Sequence, residues 1–191
     1  MMLPHAMMDL MITRGRHLLA APALNDPNFE LTVIFMLEHG DEGALGVVIN
    51  RPSELPVSGT VDEWSGFAAD PAMVFVGGPV SPSSVIALAT VQLDDAGPNW
   101  NSVIGRLGTV DLEVAPEEVP GLEQVRLFAG YSSWAPGQLE AELVDDAWYV
   151  VDAEITDIHS ADPSGLWWEV VGRQDGALGR LRNYPPEPWH N

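Results

Sequence analysis

Two consecutive apolar runs constrain the fold of this chain most strongly. Residues 31–37 and 44–49 are rich in β-branched and aromatic side chains, and the charged stretch 38–43 separates them. Two such runs around a short glycine-containing turn predict a β-hairpin in which Gly40 and Gly43 are free to adopt positive φ. Because polar side chains hardly interrupt the runs, both faces of these strands should be buried, and other elements must cover each side of the sheet.

The rest of the chain mixes strand and helix patterns. Further strands are predicted at 73–76, 85–91, 110–114, 125–130 and 148–151. Helices are predicted from the capping pattern at Thr60 to residue 68, over 138–144 behind Pro136, and over 166–171. Because these elements alternate without a regular strand–helix–strand rhythm, they predict an α+β fold rather than a doubly wound sheet.

Composition limits both the size of the fold and its chemistry. With 191 residues, 46% of them apolar, the chain should form one compact domain over 1–191 with a proline-rich tail at 184–191. It contains no cysteine, which excludes disulfides, thiolate catalysis and cysteine-ligated metals. It also contains no lysine, which excludes a Schiff base and a phosphate-loop lysine.

The formal charge of −20, from 8 arginines against 28 acidic residues, bears on partners and location. It opposes docking on DNA phosphates and on anionic membrane surfaces. Residues 1–12 carry no basic residue and include Asp9, so they do not resemble a secretory signal. We therefore expect an acidic protein of the cytoplasm that binds neither nucleic acid nor membrane.

Glycine- and proline-marked stretches form an ordered set along the chain. They comprise Leu18-Leu19-Ala20 with Pro22 and Asp26-Pro27-Asn28-Phe29, Gly46 to Pro52, Gly77-Gly78-Pro79-Val80, Gly130-Tyr131 with Trp134 and 136–140, Trp148-Tyr149, Leu166-Trp167, and the terminal 186–191. In this order they resemble the AlgH/YqgE family of bacterial proteins. The resemblance implies an α+β fold whose mixed sheet is branched or partly barrel-like and flanked by helices. Some members are described as transcriptional regulators, and the resemblance supplies no catalytic residues.

Several of these motifs should lie at strand ends, where turn-forming residues can build one shared rim. The candidate ligand-binding residues are Pro22, Asp26, Asn50, Arg51, Gly78, Gly130 and Trp134. Arg51 either pairs with Asp26 or another carboxylate, or holds an anionic ligand.

Two possible centres of chemistry match their signatures poorly. Ser132 follows a predicted strand, but Trp134 stands where a hydrolase elbow needs its second glycine, so a turn or capping role is favoured. His39, Asp41 and Glu42 share one turn without metal-ligand spacing, which favours a solvated turn. No catalytic residue, metal or cofactor is therefore predicted.

The tail 184–189 combines three prolines with Tyr184 and Trp189 and cannot form regular structure. We expect it to be ordered, with Trp189 packed into a groove of the same domain.

Three functions remain open. The favoured one is a non-enzymatic regulatory or binding protein that acts through a protein or a small molecule. The first alternative is an enzyme whose pocket is formed by the motif loops, and the second is a regulator that binds DNA.

The charge leads to a direct test of the last alternative. The protein should show no measurable binding to duplex DNA at physiological salt, because counterion release by 8 arginines must overcome repulsion from 28 carboxylates. Fluorescence anisotropy with a labelled duplex checks this expectation. A salt-sensitive dissociation constant below the micromolar range would contradict it.

Overall fold

The structure, a computed structural model, describes residues 12–92 and 97–186. It confirms an α+β fold with a curled, half-barrel sheet. The strands are β1 (Arg16–Ala20), β2 (Val33–Gly40), β3 (Gly43–Val48), β4 (Pro52–Pro56), β5 (Met73–Val76), β6 (Val80–Val91), β7 (Trp100–Ile104), β8 (Leu107–Val110), β9 (Leu122–Trp134) and β10 (Trp148–Asp152). The helices are α1 (Gln138–Val144), α2 (Ile155–Ile158), α3 (Leu166–Gly172) and α4 (Gly176–Arg180), with 3₁₀ turns at Asp62–Phe67, Pro116–Glu118 and Leu181–Asn183.

Eight strands follow one another in the order β10-β1-β2-β3-β9-β6-β8-β7, all antiparallel. Strand β5 leaves this path: it pairs parallel with β9 and antiparallel with β4. Strand β9 therefore has three partners, β3, β5 and β6, and the sheet branches at it. The predicted branched, partly barrel-like sheet is confirmed.

Glycines allow β9 to change partners. Its first part pairs with β6, and its end, from Ser132 to Trp134, pairs with β3. Gly130, between the two, has φ +72°, a left-handed backbone that glycine adopts without steric cost. A Cβ atom on Gly130 would lie 2.6 Å from the carbonyl oxygen of Gly78. The motifs 77–80 and 130–134 thus touch through their backbones where the sheet branches.

The apolar hairpin predicted from the sequence is β2–β3, and its side chains alternate between two cores. Val33 and Phe35 of β2 face a core that α3 covers with Trp167 and Val170. The residues between them face the opposite core, which α1 covers with Leu139. The expected burial of both faces is confirmed. A third core packs around Trp64 on the 3₁₀ turn Asp62–Phe67.

Arg14 links β2 to β7, the edge strand in the other half of the curled sheet. Its Nε donates to the carbonyl oxygen of Leu37 on β2 at 3.1 Å. On the far strand β7, its Nη2 and Nη1 donate to the carbonyl oxygens of Ser102 at 2.9 Å and Val103 at 3.3 Å. This side chain therefore occupies acceptors along an edge strand that would otherwise be open to pairing.

Two predicted elements differ from the structure. Only Val110 of the expected strand 110–114 lies in a strand. Asp111 Oδ1 accepts a hydrogen bond from the amide of Glu113 at 2.8 Å, and this local turn outcompetes the alternating pattern. The expected helix after Thr60 is the single 3₁₀ segment Asp62–Phe67, since the Thr60 hydroxyl donates to the carbonyl of Pro56 and caps no helix.

Of the proline-rich tail, the structure describes residues 184–186. Tyr184 packs against Trp167 with ring centroids 6.2 Å apart, and its carbonyl oxygen accepts a hydrogen bond from Trp168 Nε1 at 2.8 Å. Trp189, on which the docking prediction depends, lies outside the described residues.

Helix α1 is held to the sheet by one carboxylate. Glu142 Oε2 accepts hydrogen bonds from Trp134 Nε1 at 2.9 Å and Trp148 Nε1 at 2.8 Å. The two indole rings pack edge to face, with centroids 6.0 Å apart. Both tryptophans are buried, so water cannot easily replace Glu142 as the acceptor for their N–H groups.

Replacing Glu142 with alanine should lower the free energy of unfolding by about 2–4 kcal/mol, since two buried donors lose a charged acceptor. Glu142→Gln keeps one acceptor oxygen and should cost less. Urea denaturation followed by tryptophan fluorescence measures both. The control is Glu42→Ala in the exposed β2–β3 turn, which should change stability by less than about 0.5 kcal/mol. Equal losses for Glu142→Ala and the control would show that the indole contacts contribute nothing.

Candidate functional site

A cavity of about 470 Å³ lies between the β6–β9 pair and the segment that starts with α2. Thr90 of β6 is paired with Gln124 of β9, and both line the cavity. Thr156 of α2, followed by His159 and Ser160, faces them across it. These side chains offer hydroxyl, amide and imidazole groups, and Ile155 and Ala161 add apolar surface, so the cavity has a mixed lining that can receive a small molecule with polar groups.

A buried arginine lies beside this cavity. Arg126 is on the same face of β9 as Gln124 and is 2% exposed. Its guanidinium lies 4.1 Å from the centre of the Phe75 ring. Its Nη2 donates to the carbonyl oxygens of Asp70 at 2.8 Å and Ser160 at 3.4 Å. Burial lowers the pKa of Arg126 to about 10 against the opposing charge of Asp70, so the side chain is cationic at neutral pH.

His159 connects Arg126 to the cavity. Its Nε2 shares a 2.8 Å hydrogen bond with the hydroxyl of Thr90. Burial, and then the positive charge of Arg126, lower the pKa of His159 to about 4. The imidazole is therefore neutral at pH 7. Its Nδ1 is buried and has no hydrogen-bond partner among the described residues.

Asp157 forms the back wall and is fully engaged. Its Oδ2 lies 3.0 Å from His17 Nε2, and Arg173 donates to Oδ1 at 2.9 Å and to Oδ2 at 2.6 Å. Burial alone would raise the pKa of Asp157, but the hydrogen bonds and charges of His17 and Arg173 lower it to about 2. Glu154 adds a second carboxylate 3.1 Å from Arg173. This wall ties β1 to α2 and α3.

The mouth of the cavity carries charges of both signs. Arg106 and Glu123 form an ion pair of 3.4 Å in which both side chains remain partly exposed. Glu169 of α3 is exposed on the opposite rim. Arg106 Nη1 also donates to the carbonyl oxygen of Val91 at 3.3 Å. Surface ion pairs are weak, so a bound molecule can compete with Glu123 for Arg106.

Two imidazoles near the cavity, those of His17 and His159, differ in their access to it. His17 and Asp157 resemble an acid–base pair, but their side chains are 0% and 2% exposed and Arg173 holds the carboxylate. A substrate in the cavity has no access to His17. Because His159 is neutral at pH 7, it has no imidazolium proton to donate.

The structure brings Asn50 and Arg51 together with the loop that contains Pro22 and Asp26. Asn50 Oδ1 accepts from the amide of Val33 at 3.0 Å, and its Nδ2 donates to the carbonyl of Leu31 at 2.9 Å. Arg51 donates to three loop carbonyl oxygens, those of Pro27 at 3.2 Å, Asn28 at 2.6 Å and Glu30 at 3.0 Å. These side chains therefore hold the loop in place.

Arg51 makes its hydrogen bonds to backbone carbonyls rather than to a carboxylate. Burial lowers its pKa, and the charges of Glu30 and Asp26 oppose that effect. Asp26 itself forms a local turn in which its Oδ1 accepts from the amide of Asn28 at 2.8 Å. A small cavity of about 120 Å³ lies against Pro22, Asp26 and Tyr184.

The remaining candidates form other contacts. Gly78 and Gly130 touch each other where the sheet branches. Trp134 packs against Trp148 beneath α1. The seven candidates thus fall into a clamped loop, a backbone contact and an aromatic cluster. Their joint role in ligand binding remains a prediction.

Ser132 and His39 occupy structural positions. Ser132 is 1% exposed, and its hydroxyl donates to the carbonyl of Gly77 at 3.4 Å. His39 lies between the Thr13 hydroxyl at 2.9 Å and Glu140 Oε1 at 3.2 Å, so the expected solvated turn is wrong for its side chain. Within 12–92 and 97–186, no group of three His, Cys, Asp or Glu side chains is placed to hold a metal.

Sequence reasoning missed the cavity because its residues share no motif. Thr90, Arg126 and His159 come from three distant parts of the chain, and only the β6–β9 register and the turn after α2 bring them together. One usable signal was present: Arg126 is a cation inside a predicted central strand, a position where a charge requires a specific reason.

Fold and site together define a class: α+β proteins with a curled, branched sheet and a polar cavity between that sheet and its C-terminal helices. The profile of the AlgH-like family matches residues 17–179, and the chain belongs to this family.

Individual relatives agree with this assignment. A UPF0301 protein of Streptomyces avermitilis is 46% identical over 179 residues, covering 91% of this chain and 93% of its own. A UPF0301 protein of Thermobifida fusca is 42% identical over 196 residues, covering 97% and 99%. The crystal structure of protein DIP2367 from Corynebacterium diphtheriae matches with a TM-score of 0.85 and 31% identity over 90% of this chain and 92% of that one. The solution structure of AlgH from Pseudomonas aeruginosa matches with a TM-score of 0.67 and 28% identity over 97% of both chains.

In the described part of the chain, no helix has the length and apolar character needed to cross a membrane.

The Asp157 wall predicts a specific loss of stability in acid. The pKa of Asp157 is lowered by folding, so its stabilising contribution is present above the unfolded pKa of 3.8 and is lost as pH falls toward 2. This loss should be about 2 kcal/mol in the wild type and absent in Asp157→Asn. At pH 7 the variant should be less stable by about 3 kcal/mol, because Arg173 and His17 lose their acceptor.

Urea unfolding at pH 7, 4 and 2.5 checks the difference between wild type and variant. The control is Asp152→Asn, whose carboxylate is 94% exposed and pairs with Arg16 on the surface. A carbon-13 titration of the Asp157 carboxyl gives an independent reading, and a midpoint near 4 would refute the prediction.

Proposed function

We propose that this protein is a non-enzymatic binding protein of the cytoplasm that holds a small polar molecule in the cavity between Thr90, Gln124, Thr156, His159 and Ser160, in a regulatory setting. The observation that carries this proposal is the combination of a cavity of about 470 Å³, whose mixed lining includes several polar side chains, with a buried, charged Arg126 beside it. Removing a guanidinium from water is costly, so proteins seldom bury one without a carboxylate in ion-pair contact. A buried cation of this kind therefore indicates a functional site.

The fixed charges support binding rather than catalysis. The His17–Asp157 pair is sealed, and Asp157 has a low pKa that makes it a poor base. Two cavity groups, Thr90 and His159, already contact each other, so each can exchange that contact for a ligand without a change in the fold.

The use of the arginines argues against DNA binding. Six of the eight engage the protein itself: Arg14 and Arg51 hold backbone carbonyls, Arg126 is buried, and the other three pair with carboxylates, namely Arg16, Arg106 and Arg173. Within the described residues only Arg180 and Arg182 remain outside these contacts, too few for a basic face that could follow a phosphate backbone.

Native mass spectrometry tests the proposal. The purified protein, incubated with a bacterial metabolite extract, should gain the mass of a small molecule. Ala161→Trp, which adds an indole to an exposed alanine that lines the cavity, should abolish the gain. The matched control is Ala141→Trp, an exposed alanine on α1 away from the cavity, which should bind like the wild type.

Two results would refute the proposal. The first is a wild type that retains no small molecule from any extract. The second is an adduct that survives in Ala161→Trp and disappears in Ala141→Trp, which would place the binding site elsewhere. Circular dichroism melting curves confirm that each variant is folded.

A further inference from the structure

The positive and negative charges around the cavity do not balance at its inner end, which is the end toward Arg126 and His159. Asp157 is neutralised by Arg173, and its two oxygens are occupied. Glu123 is paired with Arg106 at the mouth. Glu169 is exposed on the outer rim. Among the described residues no carboxylate forms an ion pair with Arg126, although the charge of Asp70 acts on it from a greater distance. Of the charges around the cavity, that of Arg126 is therefore the least compensated.

Arg126 also has unused hydrogen-bonding capacity. Its Nε and Nη1 are buried and have no hydrogen-bond partner in the described parts of the chain. Only Nη2 donates, and both of its acceptors are backbone carbonyl oxygens. One of these acceptors belongs to Ser160, which lines the cavity. A guanidinium with free donors beside a polar cavity creates positive potential there, and low dielectric surroundings strengthen it.

His159 shows that this potential reaches the cavity. Its imidazole lines the cavity, and the charge of Arg126 is the second cause, after burial, of its lowered pKa. An anion next to the imidazole would oppose the charge of Arg126 and make protonation of His159 easier. The other titratable groups around the cavity are Arg106, Glu123, Asp157 and Glu169, and each is either paired or on the rim.

The neutral lining can supply donors to an anion. Thr90 and Ser160 have hydroxyl groups, and Gln124 has an amide. Arg106 can turn inward from its exposed pair with Glu123, adding a guanidinium that binds two anionic oxygens at once. A cation would meet the charge of Arg126, and two of the three carboxylates that line the cavity, those of Glu123 and Asp157, are already paired.

We propose that the ligand enters this cavity with an anionic oxygen group, a carboxylate or a phosphate, that lies at the inner end near Arg126 and His159 and accepts hydrogen bonds from Thr90, Ser160 and Arg106. This proposal rests on the proposed function and specifies the chemistry of the molecule that the cavity holds. A carboxylate and a phosphate share the acceptor chemistry, and separate probes distinguish them.

The test uses four probes at constant ionic strength and pH 6.5: acetate, inorganic phosphate, the neutral analogue acetamide and the cation tetramethylammonium. Binding is followed by NMR through the imidazole of His159 and the backbone amides of 90, 124 and 160. Acetate or phosphate should bind at least tenfold more tightly than acetamide, equivalent to about 1.4 kcal/mol. The bound anion should also raise the pKa of His159 above its starting value of about 4. The anion that binds more tightly identifies the group.

Variants at position 126 separate charge from packing. Arg126→Met should lower anion affinity at least tenfold and should fold, because an apolar side chain of similar length removes a buried charge. Arg126→Lys keeps the charge and should retain part of the affinity. His159→Gln should also lower the affinity for the anion, but by less than Arg126→Met does. Arg16→Met, which removes a surface arginine outside the cavity, is the control and should bind like the wild type.

Each other outcome contradicts the anion proposal. Equal affinity for acetamide and acetate would show that charge is not recognised. Unchanged anion binding in Arg126→Met would place the anion elsewhere. Preferential binding of tetramethylammonium would show that the cavity selects cations. None of these results removes a small molecule seen by native mass spectrometry, so the proposed function would stand or fall separately.

Discussion

The fold depends on the backbone hydrogen bonds of β9, which pairs with β3, β5 and β6. One strand can serve three partners only if its direction changes along its length. Gly130 permits that change with φ +72°, and Gly78 approaches it so closely that neither position has room for a side chain. The same strand carries Arg126 and Gln124 to the cavity, so the site follows from the branching of the sheet.

Scarcity of cations explains how the chain uses its arginines. With 8 arginines and 28 acidic residues, an ion pair is available at almost any surface position and adds little stability there. Arg14 and Arg51 instead bind backbone carbonyl oxygens, three each, and join segments that lie far apart in sequence. One guanidinium can bind several carbonyl oxygens at once, because its N–H donors form a rigid, planar fork.

The sequence predicts the fold well where the signal is local. The β2–β3 hairpin, α1 and α3 follow from apolar periodicity and turn residues, and the α+β class follows from the irregular mixture of strands and helices. The branched sheet follows from the family resemblance. Strand β4 was missed because its residues are mostly exposed and include two prolines. The prediction of a strand at 110–114 was wrong because its alternating pattern carries no information about the local turn that Asp111 forms.

The candidate site lay beyond sequence reasoning for a related reason. Glycine and proline motifs mark where the backbone needs unusual geometry, and the structure shows Asn50, Arg51, Gly78 and Gly130 supporting loops and strand crossings. The cavity instead depends on Thr90, Arg126 and His159, ordinary residues whose meaning comes from burial and from each other's charge. A motif that fixes β9 therefore matters for the proposed site even without touching a ligand, since it sets the register that places Arg126 beside the cavity. Changing Gly130 and changing Arg126 should thus impair the same site by different physical routes.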